Sequence, residues 1–187
     1  MKRSTVILVI ALFAGVLSCT KQQVQTTYDK QETLIDNFVQ ARLKQDSTAT
    51  VTYNNGSVRV VMHDTLAREG VLKDSLLAGG SVSFYYAGYV LSGASVSAAG
   101  LFATNHEATA KASGWELSDT TQYHICTLTL DESLLPGLRN GLEGVQNQDE
   151  CYILFSGQYG YGNHKQGTIP ALSALVYHIW VNSITNE

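Results

Sequence analysis

Three cysteines, five histidines and one glycine–tyrosine run are the residues of this 187-residue chain whose types and spacing bear most directly on chemistry. His63, His106, His124, His164 and His178 lack the spacing of a metal site. His106-Glu107 has no second histidine to complete H-E-x-x-H, so zinc-dependent hydrolysis has no frame. There is no C-x-x-C pair, which leaves zinc ribbons and dithiol redox chemistry without ligands. The run Gly157-Gln158-Tyr159-Gly160-Tyr161-Gly162 is not G-x-G-x-x-G and has no βαβ context, so it does not read as a phosphate cradle. No metal and no cofactor is expected. Cys126 and Cys151 are the default disulfide pair if the chain folds in an oxidising compartment.

Cys19 stands in a different setting. Lys2 and Arg3 precede an apolar run from Val6 to Val16, the length of a signal-peptide core. That is shorter than the roughly 20 apolar residues of a spanning helix. The run ends in Val16-Leu17-Ser18-Cys19, which resembles a lipobox: small Ser18 admits a peptidase before the cysteine, and the Cys19 thiol takes the lipid. Several acyl chains on one cysteine hold a protein durably where one holds it marginally. The expected location is therefore the cell envelope, lipid-anchored in the outer membrane and facing the periplasm. An ordinary secretory signal cut near the same point is the alternative.

Removing Met1–Ser18 leaves 10 basic against 16 acidic residues, a net charge of −6. An acidic chain without a basic block argues against nucleic acid as a partner. The organisation expected is a leader over 1–18, a tether and helix over 19–48, and one domain over 49–187.

The elements that must position any site follow from periodicity. Thr20–Thr27, rich in Gln and Thr, reads as a flexible tether. In Tyr28–Gln45, residues Leu34, Ile35, Phe38, Val39 and Leu43 share one helical face. That stripe either packs on its own domain or pairs two chains as a weak homodimer. Val51–Tyr53, Asn54-Asn55-Gly56 and Val58–Met62 read as a hairpin with Asn-Gly at the turn. Ser81–Leu91, Tyr123–Leu130, Cys151–Phe155 and Ala174–Ile184 read as strands. Ser92–Gly100 and Thr104–Asp119 read as long loops, the second holding Trp115. Ser133 can cap a short helix that has Pro136 in its first turn and Gly144 at its end. The sum is an α+β pattern.

Six motifs then occur in an order that resembles the FKBP-type peptidyl-prolyl isomerases. Val82-Ser83-Phe84-Tyr85-Tyr86-Ala87-Gly88 is similar to the family's V-x-V-x-Y-x-G, and Leu101-Phe102-Ala103-Thr104 to its x-F-D-[ST]. Leu134 to Gly144 is similar to the segment that leads into its short helix. Gly157–Gly162 resembles P-x-x-A-Y-G, Gly167-Thr168-Ile169-Pro170 resembles G-x-I-P, and Ser173–Tyr177 resembles the closing strand. The resemblance implies a curved antiparallel sheet wrapped over one short helix, preceded here by an N-terminal helical extension. It implies catalytic positions at Tyr86, Phe102, Tyr161, Ile169 and Tyr177, with Leu134, Leu135 and Leu138 binding substrate. It further implies that the Tyr161 hydroxyl and the Ile169 N–H donate to ligand carbonyls. It places two strands between Cys126 and Cys151, about 14 Å apart against a bridging limit of about 7 Å, so no disulfide is expected. Two departures stand out: the family's pocket aspartate is Ala103, and its floor tryptophan is Leu138.

The implied function is prolyl isomerisation of exported, proline-containing polypeptides at the envelope. The implied alternative is a catalytically silent module that binds an envelope partner. Ala103 and Leu138 favour weakened turnover; the aromatic wall favours a working pocket.

Overall fold

In a computed structural model, the structure describes residues 2–62, 75–115 and 123–186, with side chains from residue 21 onward. The Cys19 side chain and His63 therefore lie outside what is described. The described elements are α1 (Lys2–Gln45), β1 (Thr50–Asn54), β2 (Ser57–Met62), β3 (Ser81–Val90), β4 (Leu101–Thr104), α2 (Glu107–Ala112), β5 (Cys126–Thr129), α3 (Pro136–Leu142), β6 (Glu150–Phe155) and β7 (Leu175–Thr185). The strands form one antiparallel sheet in the order β1-β2-β6-β7-β3-β4, with β5 also paired to β3. The expected FKBP-like sheet over a short helix is what the chain builds.

The β1–β2 hairpin closes at Asn54↔Ser57. Its two-residue loop places Asn55 and Gly56 at φ 44° and 81°, the left-handed pair that matches strand twist. Strand alternation then divides the interior in two. On β6 and β7, Cys151, Ile153, Phe155, Leu175, Tyr177, Ile179 and Val181 face α3. Tyr152, Leu154, Val176 and Trp180 face the opposite way, toward Ile35, Phe38 and Val39 of α1. The apolar stripe of the N-terminal helix is thus covered by its own sheet, with all three of those side chains fully buried.

Helix α3 lies unusually close to β6. A Cβ on Gly137 would sit 2.1 Å from the Phe155 ring, and one on Gly141 2.1 Å from Ile153. Two glycines one turn apart let the backbone settle directly on those side chains. Arg59 of β2 donates to the carbonyls of Gly141, Glu143 and Gly144, neutralising the helix's C-terminal end. Gly144 follows at φ 78°, as a helix stop requires.

Three expectations need correcting. The segment Thr20–Thr27 is not a loose tether, because α1 runs through it. It contains neither Gly nor Pro, Gln is a good helix former, and Thr26 and Thr27 donate to the Gln22 and Gln23 carbonyls. Ser133 does not cap α3: its N–H and hydroxyl turn back onto Asp131, and Leu135 occupies the N-cap position. The stretch from Thr104 onward is not wholly loop, since α2 lies within it. That short helix is alanine-rich, with a Glu107–Lys111 pair at i,i+4. Trp115 packs its ring against the α1-side core, and its main-chain N–H donates to the Ala110 carbonyl, anchoring the turn after α2.

Candidate functional site

Neighbouring strand β3 supplies the first wall. Phe84 and Tyr86 alternate onto the α3 face, their rings 6.1 Å apart and edge to face. The next alternating position is Gly88, where a Cβ would meet the Phe102 ring at 2.6 Å; only a glycine lets that ring lie across β3. From β7, Tyr177 contacts Phe102 edge-on at 5.7 Å and Tyr86 at 6.3 Å. Phe155 stacks behind Tyr177 at 6.0 Å.

These rings enclose a cavity of about 340 Å³ lined by Phe84, Tyr86, Phe102, Ala103, Cys126, Leu128, Leu138, Tyr161, Ile169 and Tyr177. Six of the sequence-predicted residues meet there: Tyr86, Phe102, Leu138, Tyr161, Ile169 and Tyr177. Leu134 and Leu135 do not line it; the short turn before α3 packs them, half-buried, against the same core. Phe84, Cys126 and Leu128 were missed. Strict alternation would have found them, for Phe84 stands two before Tyr86, and β5 pairs with β3 through Val82↔Leu128 and Phe84↔Cys126. A second cavity of about 290 Å³ adjoins across Phe102, lined by Ser92, Ser97, Gly100, Thr168 and Pro170 among others.

No described residue that lines the first cavity carries a charge at neutral pH. Burial pushes the Tyr177 hydroxyl far above its ordinary range, and the Tyr161 and Tyr86 hydroxyls add to that. Burial, then Cys126, raises Tyr86, and burial raises the Cys126 thiol. All three stay protonated near neutrality, so the cavity is uncharged, with hydroxyls as donors. Among the described residues no three His, Cys, Asp or Glu side chains gather to hold a metal. Cys126 and Cys151, with β7 and β3 between their strands, are not joined in a disulfide.

One implied donor is already engaged. The Ile169 N–H donates to the Gln166 carbonyl at 2.9 Å, and the Gln166 N–H returns to Ile169 at 3.0 Å. Without a bound peptide the Ile169 N–H is thus engaged within its own turn, and the buried Ile169 lines the cavity.

Asn105 holds the site in a way no motif announces. Strand β3 pairs with β5 at its start and β4 near its end, leaving a gap beside Tyr85 and Tyr86. The buried Asn105 side chain fills it: Oδ1 accepts from the Tyr86 N–H at 2.6 Å, and Nδ2 donates to the Phe84 and His124 carbonyls. Thr104 donates its hydroxyl to the Tyr86 carbonyl at 2.7 Å. Both main-chain groups of Tyr86 are thereby held by side chains.

Comparison with known proteins agrees with the fold. The family model for FKBP-type peptidyl-prolyl cis-trans isomerase matches residues 75–182. None of the curated proteins matches the sequence. Among solved structures, FkpA from Escherichia coli is similar with a TM-score of 0.56 at 16% identity, over 99% of this chain and 73% of that one. A peptidyl-prolyl cis-trans isomerase from Pseudomonas syringae pv. tomato is similar at 0.56 and 13%, over 87% and 96%. The three FKBP domains of wheat FKBP73 are similar at 0.55 and 16%, over 74% of this chain and 52% of that one. At these identities the structures speak for the fold.

Proposed function

The chain belongs to the FKBP-type peptidyl-prolyl cis-trans isomerase family, and from that premise we propose that it is an envelope prolyl isomerase that assists folding of exported proteins. The observation that carries the reading is the uncharged aromatic cavity between α3 and the sheet.

An X–Pro bond interconverts over tens to hundreds of seconds because amide resonance raises a barrier of about 18–20 kcal/mol. No nucleophile is needed to lower it. Resonance places partial charge on the planar carbonyl, and a cavity walled by Phe102, Tyr86, Tyr177 and Leu138 solvates that ground state poorly. The twisted transition state has lost much of its resonance and loses less on entering. The Tyr161 hydroxyl, on the loop after β6, can donate to a carbonyl of the bound peptide and hold it. Catalysis then comes from fitting the twisted amide better than the planar one. Ala103 removes the carboxylate and Leu138 the indole that the family places here, so the rate is set lower than a pocket with both.

A protease-coupled assay with a proline-containing peptide tests the reading: added protein speeds the slow phase, and a rate equal to the uncatalysed one removes the enzymatic claim.

The placement rests on Met1–Cys19. Cleavage before Cys19 and lipidation of its thiol would hold the domain at the outer membrane, facing the periplasm. Fatty-acid labelling checks this: the protein takes label, Cys19→Ala does not, and label in both would overturn the anchor.

A further inference from the structure

The helix α1 lies on the sheet face away from the cavity, yet one of its side chains reaches the loop that carries Tyr161 and Ile169. Gln31 is 7% exposed. Its Oε1 accepts from the Gly157 N–H at 2.8 Å, and its Nε2 donates to the Leu172 carbonyl. A main-chain N–H only donates and a carbonyl only accepts, so these partners fix which way the amide faces.

Gly157 and Leu172 stand near the two ends of the β6–β7 connection. Inside it, the Gly162 N–H donates to the Gly157 carbonyl at 2.8 Å, and the Leu172 N–H to the Gly162 carbonyl at 2.7 Å. Gln31 closes the circuit, joining Leu172 back to Gly157 through one side chain. Leu172 sits at φ 56°, a left-handed conformation that a leucine adopts only when its surroundings hold it there. Ile35 and Phe38, fully buried on the sheet within two turns of Gln31, seat the stretch of helix that presents it.

We propose that Gln31 is a positioning residue: it staples both ends of the loop and so sets Tyr161 and Ile169 against the cavity from the far side of the sheet. The N-terminal helix is in this sense a component of the site. The effect on turnover rests on the isomerase reading; the staple does not.

Gln31→Met keeps length and helix preference and removes both bonds. Gln31→Glu, ionised, keeps an acceptor for Gly157 and loses the donor to Leu172. Val39→Ala trims the packing of the same helix without touching the loop. With the full chain, amide exchange at Gly157 and Gly162 is read by NMR, and kcat and KM with a proline peptide. Gly157 exchange rises about tenfold or more in Gln31→Met, and kcat/KM falls by about tenfold to a hundredfold, as small misplacements of binding groups do. Gln31→Glu falls between that variant and the parent, and Val39→Ala keeps parental turnover. Unchanged Gly157 exchange and kcat/KM in Gln31→Met would overturn the proposal, as would an equal loss in Val39→Ala. If Gln31→Met does not fold, Gln31→Glu decides: parental exchange and turnover there overturn it. If the parent chain turns over no peptide, the isomerase reading falls, and Gly157 exchange alone still decides the staple.

Discussion

The two faces of the sheet are built from the same strands and do opposite things. On the α3 face, Tyr86, Phe102 and Tyr177 lean on one another at 5.7–6.3 Å and leave about 340 Å³ open. On the α1 face, aromatic rings close up instead. Phe38 meets Tyr152 edge-on at 5.3 Å, Tyr152 stacks on His178 at 4.0 Å, and His178 leans on Trp180 at 3.8 Å. His106 stacks on Trp180 at 4.1 Å beyond it. One strand, β7, supplies Tyr177 to the first set and His178 and Trp180 to the second. Position parity on a strand, rather than residue type, separates a ring that lines the cavity from a ring that only packs.

The sharpest way to break that comparison is to cut one ring or side chain from each face. Leu154→Ala, on the closed face and fully buried, is expected to cost about 3 kcal/mol of stability. Its kcat/KM per folded molecule stays parental. Phe102→Ala, half-buried at the open cavity, costs less stability and lowers kcat/KM by about a hundredfold or so, the scale on which an ill-positioned substrate loses rate. Denaturant titration with the isomerase assay checks both, and matched losses of rate in the two variants would dissolve the distinction.

Asn105→Ala comes next. It leaves the Tyr86 N–H and the Phe84 and His124 carbonyls without that side chain, a loss of about 2 kcal/mol. Turnover falls with it, because Tyr86 is the ring so held. A stability loss with turnover intact would show that the gap in the sheet tolerates slack.

A smaller effect is expected from adding chemistry to the open face. Ala103→Asp restores a carboxylate at the cavity lining and should raise kcat/KM by about tenfold, about 1.4 kcal/mol in the barrier. No gain would mean that the surrounding rings do not hold the peptide where a carboxylate can act.

The smallest effect belongs to the closed face and to pH. Burial lowers His178, with its Glu150 hydrogen bond opposing, and burial lowers His106. A base held below its unfolded value of about 6.5 resists a proton that the unfolded chain accepts. Stability should therefore be flat above about pH 6.5 and decline as pH falls toward the folded-state values. Melting temperature from pH 7.5 to 5 checks the sign, and His178→Phe, which keeps a ring in the stack, should flatten the slope. The open cavity has no charged lining group, so kcat/KM should stay level across the same range.

Much of this molecule was legible early. Asn55-Gly56 announced the first hairpin, Pro136 and Gly144 bounded α3, and apolar and aromatic runs marked β3, β6 and β7. Those are local signals, each set by φ preferences or by side-chain alternation within a few residues. The cavity wall was legible only through the ordered resemblance, since a lone tyrosine at 86 or 177 reads equally as core. The helical Thr20–Thr27 segment was misread because polarity was taken for looseness, although nothing in it breaks a helix. The bond from the Ile169 N–H to Gln166 was not legible, because it depends on the turn between them.

What the sequence by itself determined was the first hairpin, the long strands, the short helix α3 and the aromatic inventory, because these follow from backbone sterics and from which residues leave water. What only the tertiary structure decided was which groups meet across long separations. Asn105 fills a gap that exists only once β4 and β5 share an edge of β3. Gln31 and Leu172 are joined only after α1 has docked on the closed face. Hydrogen bonds between such distant groups depend on the packed arrangement of whole elements, and that arrangement leaves no spacing in the chain to read.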